Sequence, residues 1–534
     1  MNKIAVYLSQ HLSGEVTSAQ SLRKLYATDA SILSIAPEIV AFPRVTNDIR
    51  KIARFTWQLA EKGHAVSMTA RGLGGDTTGG AIGKGIVIDT SKYLDAIIEI
   101  AAKDKLVHVQ PGATLSQIDD ALKWQGLILP GAYHRGVRNI TIGGAIANDS
   151  LGADGSVANS IKKLEVVLAN GDVIETGRMS RRDINKKLGL QTFEGEIYRK
   201  LEGLLEDNDS LIQQLAADDA HDNTGYKRIA SIKDKKDGSI DLTPLFIGSQ
   251  GTLGIISEVV LKTDFYSVNE THAAIVTDSP QAARDLSERL AELEPTELRI
   301  IDGDLLRRAA KNGTVFSVLG SVEQTGAVIY MRFGDFSERA QQGKLKKARK
   351  LLQKMNLTLI DSTERTPDDF RPITGIPQTL QLGSSDDKVA VPIINGAFIP
   401  KNRREEFEEA ILALAKKHHV ELPFELNVLD GTYDFYPVFD IDSVSAKQKL
   451  FKLMTEFAEL VDKCDGAVTS DGAEGRLKAN SAWGTLSDEQ VELYKQVREV
   501  FDPFGTLNPG VKQTTELRSL VAALRSAYNS ASVL

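Results

Sequence analysis

Arg71-Gly72-Leu73-Gly74-Gly75-Asp76-Thr77-Thr78-Gly79-Gly80 is the stretch on which the fold turns. It lies between two segments that read as strands, 64–70 and 85–89. Five glycines in ten positions permit a close backbone approach and conformations closed to residues with a Cβ. The amides of such a loop, with one arginine, hydroxyls and a carboxylate, suit a pyrophosphate. A second loop, Thr141-Ile142-Gly143-Gly144-Ala145-Ile146-Ala147-Asn148-Asp149-Ser150-Leu151-Gly152, follows. A third is Gly248-Ser249-Gln250-Gly251-Thr252-Leu253-Gly254-Ile255-Ile256. Three such loops in one half of the chain point to a large phosphate-containing cofactor.

At 534 residues the chain exceeds a single core, so two domains are expected. A composition of 42% apolar and 25% charged residues is that of an ordered globular protein. The net charge of −8 argues against a nucleic-acid partner. The lone Cys464 excludes an internal disulfide and a cysteine-ligated iron–sulfur cluster within the chain. The first residues lack the apolar core of a signal peptide, and no run of about 18 apolar residues occurs. A soluble, cytoplasmic protein is the expectation.

Thr46 or Asn47 can cap a helix that ends near Gly63. Thr114 and Gln117 have capping-box spacing, and 164–168 and 173–176 flank an Asn170-Gly171 hairpin turn. No Gly-x-Gly-x-x-Gly opens a helix after a strand, so a Rossmann site is not supported. From about Thr263 the rhythm changes. Strands over 273–276, 327–332 and 389–394 alternate with helices over 280–293, 337–354 and 403–419, which suggests a sheet with helices on one face. A further helix spans 443–463.

In order and spacing the three loops resemble the flavin-binding half of the vanillyl-alcohol-oxidase-type, or PCMH-type, flavoproteins. The ending Phe501-Asp502-Pro503-Phe504-Gly505-Thr506-Leu507-Asn508-Pro509-Gly510 resembles that of the branch holding D-lactate, glycolate and D-2-hydroxyglutarate dehydrogenases. The resemblance runs from about Tyr26 to Lys512. It implies an α+β fold: a two-subdomain PCMH-type FAD-binding domain over 1–264 and a ferredoxin-like α+β cap domain over 265–475. A helical segment over 476–534 would return to the FAD-binding domain.

The same resemblance implies FAD. The first loop has no histidine or cysteine to tether it, so the cofactor is expected to be non-covalent; His134, near the second loop, is the residue weighed as a tether. Arg71, Gly72, Leu73, Gly74, Gly75, Asp76 and Thr77 are assigned to the pyrophosphate. Asp76 departs from the family loop, and its charge would repel phosphate unless it turns away or takes backbone amides. Pro111 and Gly112 would border the cofactor, as would Thr141, Gly143, Gly144, Asn148 and Ser150. Gly251, Ile255, Ile256 and Asn508 complete the cofactor set.

The substrate side departs further. Relatives carry Gly-His-x-Gly-Asp-Gly-Asn-x-His, whose two histidines can ligate a divalent metal; here those positions hold Asn427 and Asp434. The Gly-Glu-His-Gly segment aligns with Ser470-Asp471-Gly472-Ala473, so glycine replaces the histidine that would take the substrate's hydroxyl proton. No metal is expected. Three readings stand: another base acts, the substrate differs, or turnover is lost and flavin binding kept. Asp430, Tyr433, Asp471 and Glu474, together with Asp434, are the local choices of base. Arg371 and Lys388 resemble a substrate-carboxylate clamp. The expected activity is oxidation of a D-2-hydroxy acid or related secondary alcohol by hydride transfer to FAD, with electrons passed to a quinone, cytochrome or electron-transfer protein. Alternatives are a sugar or aldonolactone oxidase, a non-redox alkyl-glycerone-phosphate-synthase-like enzyme, or a flavin-binding protein without turnover. Peripheral membrane contact through the basic stretches 178–187 and 344–350 is the weaker option.

Overall fold

The computed structural model describes residues 2–130, 140–152, 155–218, 220–266, 270–334, 337–363, 365–376, 389–439 and 444–525. The first glycine loop leaves the edge of a four-stranded sheet ordered Glu15–Thr17, Ile39–Phe42, Ile86–Asp89, Met68–Arg71. Ile86–Asp89 runs parallel to both neighbours and is buried throughout, which accounts for its unbroken apolar run. The strand before the loop starts at Met68 rather than His64, because its pairing with the neighbour begins at Ile86. The helix Thr46–Glu61 packs Ile49, Ile52 and Ala53 into the core. Its start is organised by Asp48, whose carboxylate accepts the amides of Ser13 and Gly14 at 2.8 and 3.0 Å, rather than by a side-chain cap at Thr46 or Asn47.

A five-stranded antiparallel sheet, ordered Val173–Glu175, Ile161–Val167, Ile255–Lys262, Leu106–Val109, Ile97–Ala101, carries the other two loops. Strand Leu106–Val109 delivers Pro111, and the Thr114–Gln117 capping box then opens the helix Leu115–Lys123. Gly171 takes φ +84° in the turn between Ile161–Val167 and Val173–Glu175.

The third sheet has seven antiparallel strands in the order Ile360–Asp361, Glu270–Thr277, Ala327–Gly334, Glu297–Asp302, Phe424–Asn427, Thr432–Phe435, Ile394–Phe398. On one face Ile275, Ile300 and Ile329 meet Leu286, Leu345 and Phe407 from three helices. The opposite face is covered as well: Ala274, Ile301, Val328 and Tyr330 pack on Leu305, Leu306 and Phe370. Helices on one face only is therefore corrected. Strand Ala327–Gly334 is buried at every position but its last, so apolar side chains leave both faces and both need cover. The strand expected over 389–394 is two, Val389–Ala390 and Ile394–Phe398, separated by Pro392, which has no amide to donate.

The chain's last part comes back to the first two sheets. Leu493, Val497 and Phe501 of the helix Asp488–Phe501 enter the core of the five-stranded sheet. Leu507 then bridges to Met68, with Met68 N–H donating to Thr506 O at 2.8 Å and Asn508 N–H to Met68 O at 2.8 Å.

Candidate functional site

A cleft opens where the three glycine loops meet. Its first wall is the stretch Arg71 to Asp76. The amides of residues 73–77 donate to no protein acceptor among the described residues, while Gly74 holds φ +76°. Consecutive unpaired N–H groups around a left-handed residue form an anion-binding concavity. A Cβ built on Gly75 meets nothing within 4 Å, and one on Gly72 would stand 2.1 Å from Thr141 Oγ1. The loop is thus open toward the cleft and tightly seated behind it.

Arg71 braces this loop from the rear. Its Nη1 donates to Thr28 O at 2.8 Å, and its guanidinium lies 5.0 Å from the Tyr26 ring centroid. Asp76 turns back into its own loop, accepting the amides of Thr78 at 3.1 Å and Gly80 at 2.5 Å. The carboxylate takes backbone amides, one of the two arrangements open to it.

The second wall contains Thr141, Gly143, Gly144, Asn148 and Ser150, with Pro111 beside them. A Cβ on Gly143 would lie 2.8 Å from the Pro111 side chain, so the two loops interlock only with glycine there. Gly251, Ile255 and Ile256 form the third wall. Thr77, Gly112 and Asn508 lie outside the lining. Gly112 packs against the Thr90 carbonyl. Asn508 is wholly buried behind the first loop, its Nδ2 donating to the carbonyls of Gly80 and Gln250, both at 2.8 Å. His134 and Lys388 fall outside the described residues.

Gln250 was not singled out by sequence, although it stands inside the third loop. Its Nε2 donates to Thr78 Oγ1 at 3.2 Å and Asn148 Oδ1 at 3.1 Å, while Oε1 accepts Gly475 N–H at 2.8 Å. One side chain therefore joins all three loops to the segment 470–478. The only signal was a polar residue between Ser249 and Gly251.

The substrate-side candidates separate. Tyr433 is buried in the seven-stranded sheet and donates to Glu408 at 2.7 Å, and burial followed by the Glu408 charge pushes its phenol far up. Glu474 is fully buried and saturated: Oε1 accepts Gly225 N–H at 2.8 Å and Trp483 Nε1 at 2.9 Å, and Oε2 accepts Lys512 Nζ at 2.7 Å. Asp430 accepts Asn427 Nδ2 in the turn after strand Phe424–Asn427. Arg371 is half exposed and pairs with Asp368 at 2.8 Å.

Asp471 lies beside the second loop, outside the cleft lining. Its Oδ1 accepts Leu151 N–H at 2.8 Å, next to Ser150, and Ala473 N–H donates to Asn148 Oδ1 at 3.2 Å. Asp434 sits nearby, accepting Gly396 N–H at 2.7 Å, while Asp471 N–H donates to Gly396 O at 3.1 Å. Lys478 carries no signal in the sequence that singles it out. It is buried, donates to Asn395 O at 2.6 Å, and is pushed down to about 8 by burial against the pull of Asp434, Asp471, Asp76 and Glu474. Among the described residues no group of acidic, histidine or cysteine side chains is arranged to hold a metal ion, and no helix is long and apolar enough to cross a membrane.

Comparison with known proteins agrees with this geometry. Residues 37–177 match the family of FAD binding domains, and residues 268–511 match the C-terminal domain of FAD linked oxidases. The chain is 24% identical to a D-2-hydroxyglutarate dehydrogenase of Haemophilus influenzae, over 97% of this chain and 52% of that protein. It is 24% identical to the glycolate oxidase subunit GlcD of Bacillus subtilis, over 94% and 95% of the two chains. The fold of p-cresol methylhydroxylase superposes with a TM-score of 0.68, at 13% identity and 96% coverage of each chain. The chain belongs to the PCMH-type FAD flavoproteins, and within them it resembles the D-2-hydroxyglutarate and D-lactate dehydrogenases and glycolate oxidase. Its cofactor is FAD, and its fold is α+β. It spans about half the length of the Haemophilus protein.

Proposed function

We propose that this chain oxidises a D-2-hydroxy acid or related secondary alcohol, with Asp471 taking the hydroxyl proton. The observation that carries the reading is that Leu151 N–H holds Asp471 against the second loop, whose Asn148 and Ser150 line the cleft. FAD, when bound, supplies the two-electron acceptor for the hydrogen on the hydroxyl-bearing carbon. The free amides of residues 73–77 would hold its pyrophosphate, and the glycine faces of the second loop would let a flat ring lie against backbone.

A general base must lie within hydrogen-bond reach of the proton it takes. Of the local carboxylates Asp471 is the one held against the cleft-lining second loop, whereas the oxygens of Glu474 are occupied and Tyr433 faces Glu408. Arg371 would serve the substrate carboxylate by leaving Asp368, since an exposed ion pair is worth only about 0–1 kcal/mol. A quinone, cytochrome or electron-transfer protein would then take the electrons.

The test is anaerobic addition of D-lactate and D-2-hydroxyglutarate to the flavin-loaded protein. Bleaching of the visible flavin bands is expected, and Asp471→Asn should lower kcat/KM by about 10²–10⁴ with FAD retained. Bands that persist with hydroxy acids but bleach with sugars would transfer the protein to the sugar-oxidase reading. Undiminished turnover in Asp471→Asn would remove the base.

A further inference from the structure

Two carboxylates take successive amides under the phosphate loop, Asp76 that of Gly80 and Asp29 that of Ala81, with Asp29 buried and Asp76 partly exposed to the cleft. Asp76 lines the cleft yet folds back on Thr78 and Gly80. Asp29 is fully buried, with Oδ1 accepting Ser31 N–H at 3.0 Å and Ser31 Oγ at 2.6 Å, and Oδ2 accepting Ala81 N–H at 3.3 Å. Burial first, and the Asp76 charge second, push Asp29 up to about 6, and burial raises Asp76 as well.

The cations facing the pair are Arg71, Arg476, Lys478 and Arg525. The hydrogen bonds of Arg71 go to the carbonyls of Thr28 and Ala81. Those of Arg476 go to the carbonyls of Ile82 and Pro509 and to Asn508. Lys478 bonds the Asn395 carbonyl, and Arg525 donates to the carbonyls of Leu33 and Asp29. Most of these bonds hold backbone carbonyls, Arg71 and Lys478 act on the pair only through space, and a charge on one carboxylate favours protonation of the other.

We propose that FAD binding to this chain is coupled to uptake of a proton by the Asp29–Asp76 pair, so that cofactor affinity falls as pH rises. The inference rests on the assignment of the cleft to FAD. A pyrophosphate seated on the amides of residues 73–77 adds negative charge beside Asp76 in a site shielded from water, and like charge favours the protonated carboxyl. The proton comes from solvent to a carboxylate oxygen, and no other bond changes. The loop accommodates it: Thr78 Oγ1 lies 2.9 Å from Asp76 Oδ1, and this hydroxyl can accept from a protonated Oδ1 as readily as it now donates.

Linkage sets the sign. The bound state holds the proton to higher pH than the free state does, so affinity is flat below the free pair's range and falls above it. Within that window the loss approaches about tenfold per pH unit.

The experiment is titration of deflavinated protein with FAD, read by flavin fluorescence from pH 6 to 8, with calorimetry in two buffers of different ionisation enthalpy. The dissociation constant of the unmodified chain should rise about tenfold or more across that range, with proton uptake visible as a buffer-dependent heat. Asp76→Asn and Asp29→Asn should each bind FAD more tightly at pH 8 and with a flatter slope. If one variant does not fold, the other and the wild-type heats decide the matter. A pH-independent dissociation constant overturns the coupling, and so does an unchanged slope in both variants, which would move the proton linkage to Lys478. Absence of FAD binding at every pH would overturn the cleft assignment and the coupling together.

Discussion

Gly475→Ala is expected to cost the protein its FAD, lowering affinity about a hundredfold while the chain still folds. Gly475 holds φ +56°, and a Cβ there would stand 2.1 Å from Thr78 Oγ1 and 2.5 Å from Thr78 O. Both neighbours are fixed. Thr78 anchors Asp76 and accepts from Gln250, and Gly475 itself donates to Gln250 and accepts from Lys512 N–H at 3.0 Å. A left-handed backbone costs an alanine roughly 1–2 kcal/mol, and overpacking adds about 1–3 kcal/mol. Relief of that strain has to move Thr78, and with it the amides aimed at the pyrophosphate. At about 1.4 kcal/mol per tenfold, a hundredfold loss corresponds to roughly 3 kcal/mol. The readout is flavin absorbance remaining after gel filtration, followed by titration with FAD. Gly343→Ala, in the helix Glu338–Gln353 with nothing within 4 Å of the added methyl, is the control and should bind FAD normally. Normal binding by Gly475→Ala would refute this account of the cradle's rear wall.

Glu474→Ala should be the most destabilising single change in the 470–478 segment. It leaves Lys512, 1% exposed, without its counter-ion and strands the donors of Gly225 and Trp483. Breaking a buried pair from one side costs about 3–5 kcal/mol. Denaturant unfolding followed by tryptophan fluorescence should show the midpoint shift, since Trp483 Nε1 loses its acceptor. The paired change Glu474→Leu with Lys512→Met removes both charges and should recover the ion-pair part of the loss, the donors of Gly225 and Trp483 staying without an acceptor. If the single and double variants unfold alike, the ion pair is not what holds this segment.

The local features were legible from sequence because their causes are local. The Thr114–Gln117 capping box and the left-handed Gly171 of the hairpin formed as the residue types require. The three glycine loops were legible for a related reason, since a backbone that must pass close to another surface excludes a Cβ. Start and stop positions of strands were less so, as pairing partners set them: Met68 begins its strand where Ile86 is available. The double-sided cover of the seven-stranded sheet depended on which helices returned to it, a matter of topology rather than of any one strand.

The substrate side shows the same division. Sequence alone established that the family's histidines are replaced by Asn427, Asp434 and Gly472, and it offered Asp471, Glu474, Tyr433 and Asp430 as equals. They are not equal in space. Glu474 is locked by Lys512, Tyr433 turns to Glu408, and Asp471 meets the second loop at Leu151. What the sequence determined by itself was the class of protein and the loops that cradle the cofactor, because glycine spacing and backbone conformation are properties of short segments. What only the tertiary structure decided was the direction of each charged side chain. Asp76 against its own loop, Asn508 under Gly80 and Asp471 on Leu151 all depend on partners, the last two more than 300 residues away in the chain, and the energy of a buried charge is set by the groups that surround it in space.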